Sequence, residues 1–188
     1  MQIDRQQLEQ RTLINNFLMR AALPLGLFFV FEYMFSVWSS DNLLLAMLRL
    51  PMLVLTPVLL FLSMRTLRDK VMGGAIGGFQ AWVYGVQMML FAALVEAAWI
   101  YVYNEFIAPD NLYEMQTAAI AQYEQSAALF SESPVIRRMN TMVAELKDAP
   151  VPSAIEASVQ MVSNDLFLAM FYMIPISLII KRKPQTTE

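Results

Sequence analysis

Four long apolar stretches constrain this chain more than any other feature. A helix crosses a hydrocarbon core roughly 30 Å thick only with about 20 mainly apolar residues, and it must satisfy its own backbone polar groups there. Residues 21–39, 43–64, 80–103 and 159–180 meet that requirement. The last is the weakest, because Gln160, Ser163, Asn164 and Asp165 fall in its first third. From Leu166 to Ile180 it is strongly apolar, and it stops at Lys181-Arg182-Lys183. Composition agrees. Of 188 residues 57% are hydrophobic and 15% charged, whereas a soluble domain carries about 25% charged residues. The pattern predicts an all-α membrane protein, 1–188 forming a single integral membrane domain with four transmembrane helices.

Positive charge sets the threading. Arg5, Arg11 and Arg20 precede the first span, Arg65, Arg68 and Lys70 follow the second, and Lys181, Arg182 and Lys183 follow the fourth. In a four-span chain these groups share one side. The other side holds the turn Ser40-Asp41-Asn42, without a cation, and the segment 104–158, with three basic residues against eight acidic ones. The positive-inside rule places both termini in the cytoplasm and 104–158 outside it. The N-terminal 1–20 lacks the apolar core of a cleavable signal, so the first apolar run is expected to be a permanent span. Residues 8–20 are expected to form an interfacial helix leading into it.

The chain has no Cys and no His, which excludes disulfides, thiolate chemistry and an imidazole base. No catalytic residue, metal-ligand set or cofactor motif stands out. Five of the six glycines lie in GGAIGGFQAWVYG: Gly73, Gly74, Gly77, Gly78 and Gly85. Four-residue spacing among small residues lets helix backbones approach, so these are expected to pack helices or form an interfacial turn. Contact with a lipid or ligand headgroup is the alternative, whereas a phosphate-binding P-loop would need a strand and a lysine that are missing.

Each span carries one ionisable residue: Glu32, Arg49, Glu96 and Asp165. Counted from the outer helix ends at 1.5 Å per residue, all four sit ~9–10 Å deep, in one layer, with Asn164 beside them. An arginine at membrane depth costs at least ~2.5 kcal/mol, and carboxylates at its own level would explain its presence. Three acids and one arginine leave a negative surplus that low dielectric rejects, so at least one carboxyl should hold a proton or a cation. Structural polar glue, a proton or cation site, and recognition of a polar headgroup all fit this cluster.

Within 104–158, Leu112, Met115, Ala119, Tyr123, Ala127 and Phe130 recur at helical spacing. Ser133-Pro134 reads as the cap and first residue of a second helix, striped by Val135, Met139, Met142, Val143 and Leu146. The expectation is an acidic extracytoplasmic helical hairpin between the third and fourth spans, unsuited to nucleic acid.

LRDKVMGGAIGGFQAWVYGV, followed by AALVEAAWIYVYNEFIAPDNLYEMQ, resembles a family of short bacterial four-helix membrane proteins known only as domain of unknown function 4199. The features that carry the likeness are Arg68-Asp69-Lys70, the stretch 73–80, Tyr101 to Tyr103, the turn Ile107 to Asp110 and the closing lysines. The 104–158 segment is richer in alanine than is typical of that family. The resemblance implies a bacterial inner-membrane address and no assigned activity. The leading expectation is a non-catalytic accessory or scaffold subunit of a membrane complex, partnered by lipids and by another membrane protein or a second copy. The alternative is a small carrier or channel for a proton, cation or lipid headgroup.

Overall fold

A computed structural model describes residues 2–39, 49–129 and 134–183. The 40–42 turn, the start of the second expected span and the Ser133 cap lie outside the described residues. Among the described residues six helices run in order: α1 (Gln2–Trp38), α2 (Arg49–Thr66), α3 (Gly78–Val102), α4 (Asn111–Leu129), α5 (Pro134–Asp148) and α6 (Ala154–Ile180). Single π-helical turns, Leu67–Val71 and Tyr103–Ile107, extend α2 and α3. Four segments are long and apolar enough to cross a membrane: Gln7–Trp38, Pro51–Val71, Gly78–Ile107 and Ala154–Ile180. The chain is therefore a multi-pass membrane protein by length and composition.

The bundle is centred on α3, which packs against α1 on one side and α6 on the other. Its apolar sequence lets it be enclosed: Ala81, Gly85, Met88, Met89, Ala92, Ala93 and Ile100 are all buried. On α1, Ile14, Leu18, Ala22, Leu25, Phe29 and Tyr33 are buried at steps of three or four residues, one continuous stripe facing the core. Leu23, Leu27 and Phe31 on the same helix are exposed, as are Leu53, Val54, Val58 and Leu62 on α2. Exposed apolar rows of this kind suit acyl chains.

The helix expected over 8–20 runs without a break into the first span. That segment is not separate but the first half of α1, with Ile14 and Leu18 in the core and Asn15 Oδ1 accepting from Gln87 Nε2 at 3.4 Å. Its polar residues mask a helical stripe that is long enough to bury. The last span also begins earlier than expected. Ser153 caps α6 in a capping box, its backbone N–H donating to Glu156 Oε2 at 2.8 Å while Glu156 N–H donates back to Ser153 Oγ at 3.4 Å.

The five glycines play different parts. Gly85 meets α6 so closely that a Cβ would collide with the Met173 side chain. Gly73 and Gly74 have φ of 65° and 86°, with open space where a Cβ would stand, so they form a turn and pack no helix. Gly77 and Gly78 have only ordinary contacts. Of the five, Gly85 makes the close helix contact, while Gly73 and Gly74 stand in a turn, the other part of the expectation. Gly26, outside the patch, is the other close approach: its Cβ would lie 2.8 Å from the Ala92 carbonyl oxygen.

One end of the bundle gathers the basic connections. Arg68 forks onto Asp69 through Nε (2.7 Å) and Nη2 (3.1 Å), and its Nη1 donates to the Ile180 carbonyl at 3.2 Å. Ile76 and Arg182 form an isolated antiparallel bridge through paired backbone hydrogen bonds of 3.1 and 3.0 Å. Away from that end, α4 and α5 pack on each other, Gln116 Nε2 donating to the Leu146 carbonyl at 2.8 Å and Lys147 pairing with Glu124.

Candidate functional site

Three of the four ionisable residues expected to share a layer line one cavity of about 360 Å³: Glu32 from α1, Glu96 from α3 and Asp165 from α6. Asn164 lines it as well, together with Tyr33, Ser36, Thr56 and Met115. The fourth, Arg49, opens α2, and its side chain lies outside the described residues. Helical periodicity explains the meeting. Glu96 falls on the buried stripe of α3 that runs through Met89, Ala92, Ala93 and Ile100, and α6 lies along that stripe.

Glu96 is the most enclosed acid, 3% exposed. Its carboxyl lies within hydrogen-bonding reach of Asp165, with Glu32 near enough to act on it through charge. Asp165 is half-buried, and its Oδ2 is shut off from solvent with no hydrogen-bond partner among the described residues. Two carboxyls in contact at low dielectric are tolerated with a proton or a cation between them, because two bare like charges repel strongly there. No set of three acidic groups among the described residues is arranged to grip a metal ion.

A second cavity of about 350 Å³ adjoins the first and shares Tyr33, Met115, Met161 and Asn164 with it. It continues towards the start of α6 past Gln160 and Glu156. Glu156, Gln160 and Asn164 follow at four-residue steps, and Gln160 Nε2 donates to Asn164 Oδ1 at 3.0 Å. A polar row thus leads along α6 from the paired carboxyls to the loop before the helix.

Sequence reasoning missed the polar knot beside the cavity. Tyr33 Oη accepts from Asn104 Nδ2 at 2.8 Å and from Asn111 Nδ2 at 3.1 Å, and Asn111 Nδ2 also donates to Asn104 Oδ1 at 2.8 Å. All three residues are buried. The knot ties α1 to the π-helical turn after α3 and to the first turn of α4. The only signal in the sequence was a pair of asparagines on either side of the Ala108-Pro109-Asp110 break, just after the aromatic stretch Tyr101 to Tyr103.

No curated protein and no solved structure matches the chain. A family model described as Protein of unknown function (DUF4199) matches residues 20–182, which take in the first long apolar helix from residue 20 on, the other three whole, and the cavity. With nearly the whole length matched, the chain belongs to that family.

Proposed function

We propose that this chain binds and releases a proton at Glu96 and Asp165, inside a polar cavity of a four-span bundle in the cytoplasmic membrane. Both termini lie on the cytoplasmic side in this reading, because the basic connections collect at one end of the bundle. Glu96 then stands in the outer half of the bilayer, ~27 Å along α3 from Gly78. The observation that carries the reading is the contact of the two carboxyls, with Asp165 Oδ2 buried and without a hydrogen-bond partner among the described residues. A proton satisfies that geometry with a single hydrogen bond, whereas a divalent metal would ask for more ligands than converge among the described residues. The polar row Glu156, Gln160, Asn164 supplies a way in. The accessory role in a membrane complex, with a protein partner or a second copy, is compatible with this chemistry.

The experiment is labelling with dicyclohexylcarbodiimide, an apolar reagent that reacts with protonated carboxyls inside membranes. We expect modification of Glu96 or Asp165 in membrane-reconstituted protein, falling as pH rises because only the protonated form reacts. Glu96→Gln combined with Asp165→Asn should remove it. Labelling confined to exposed acids at every pH would overturn the reading.

A further inference from the structure

We infer that the cleft at the basic end of the bundle, about 540 Å³ between the turn Ile76-Gly77-Gly78 and Lys181-Arg182-Lys183, binds the phosphate group of an anionic membrane lipid. This site is remote from the carboxyl cavity and independent of it.

The first argument is charge. Residues 65–80 and 181–183 carry six cations and one acid, Asp69. That acid is already engaged by the Arg68 fork, with Arg65 Nε at 3.7 Å. Among the described residues, Lys181, Arg182 and Lys183 form no ion pair. Three consecutive cations thus stand on the wall of one cleft without a carboxylate of the described residues in contact, Asp69 acting on Arg182 only through charge at longer range.

The second argument is order. Cations that end a span commonly sit on a free tail, but this tripeptide is bridged to the turn. Ile76 and Arg182 exchange both backbone hydrogen bonds, Lys181 N–H donates to the Ser177 carbonyl, and the Lys181 stem lies against Gly78. The backbone cost of holding Lys181 and Arg182 beside the turn is therefore met before a ligand arrives.

The third argument is room. No side chain projects from Gly77 or Gly78, and a Cβ at Gly77 would have nothing nearer than Gln80 Cβ at 3.9 Å. The first turn of α3, whose helix start also favours negative charge, forms the opposite wall.

A lipid rather than a soluble phosphate is favoured by Phe79. It stands beside the cleft, 79% exposed, stacked on Trp82 with ring centroids 6.2 Å apart. An exposed phenylalanine stacked on a half-buried tryptophan next to a basic cleft suits the boundary between headgroups and acyl chains.

The test is native mass spectrometry of the full chain in detergent, with phosphatidylglycerol or phosphatidylcholine added, and with inorganic phosphate as the soluble arm. Phosphatidylglycerol should bind in preference. The triple change Lys181→Gln, Arg182→Gln, Lys183→Gln should weaken it by roughly 100-fold, at about 5-fold per cation. Because that variant alters the charges that orient the chain, Gly77→Leu is the second test. It keeps every cation, needs no unusual backbone angle and fills the cleft, so a loss of about 10-fold or more is expected at unchanged net charge. Phosphate binding alone, lost in Gly77→Leu, would keep the cleft and the phosphate chemistry but assign a soluble source, overturning the lipid. Equal binding of the two lipids without phosphate binding, or a Gly77→Leu variant that binds like the parent, would overturn the site.

Discussion

Gly85 of α3 presses against Met173 of α6 so tightly that no side chain fits between them, and Met173 is itself fully buried. Gly85→Ala should therefore destabilise the bundle by about 1–3 kcal/mol through overpacking. The obstacle is a flexible side chain, so Met173→Ala added to Gly85→Ala should recover part of the loss. Gly26→Ala makes the contrasting case, since its obstacles are the Ala92 backbone carbonyl and Val95, which a single truncation at Met173 does not relieve. Thermal unfolding of Gly85→Ala and Gly26→Ala, each with and without Met173→Ala, in one detergent would check both statements.

Tyr33 holds two buried asparagines at once, and removing its hydroxyl leaves their amide groups short of a partner. Tyr33→Phe should cost about 1–3 kcal/mol, the usual penalty for a buried polar group left unsatisfied. Because Asn111 sits in the first turn of α4, the loss should be local. Hydrogen exchange should accelerate around 104–115 while the middle of α3 stays protected.

Arg68 joins the turn after α2 to the end of α6 by a fork on Asp69 and a bond to the Ile180 carbonyl. A lysine cannot offer that planar fork. Arg68→Lys should lower the melting temperature nearly as much as Arg68→Met, while Arg65→Met, at a mostly exposed position, should leave it almost unchanged. A lysine variant as stable as the parent would mean that charge alone suffices.

The chain contains no native cysteine, so single cysteines can be read without background. Asn164→Cys and Gln160→Cys should react with a membrane-impermeant maleimide added from outside, because the two adjoining cavities lead from Asn164 past Gln160 towards Glu156. Leu178→Cys, on an exposed apolar face of α6 near its end, should stay unreactive in the bilayer. Labelling of Asn164→Cys from the opposite side alone would reverse the proposed orientation.

Local rules made much of this protein legible in its sequence. The existence of four long apolar helices follows from run length, and counting residues at a constant rise singled out Glu32, Glu96 and Asp165, which line one cavity. Both depend only on neighbours along the chain. The rotation of each helix about its axis, and what it meets there, belong to the tertiary structure. Packing alone turned residues 8–20 from an expected surface helix into the first half of α1, because a stripe counts as core only when another helix covers it. Packing also chose Gly26 and Gly85 over the more suggestive Gly73 and Gly74, and it brought Asn104 and Asn111 onto Tyr33 across some 70 residues of sequence. Close approach and buried hydrogen bonding depend on the relative placement of two or more elements, and no periodicity within one element encodes that placement.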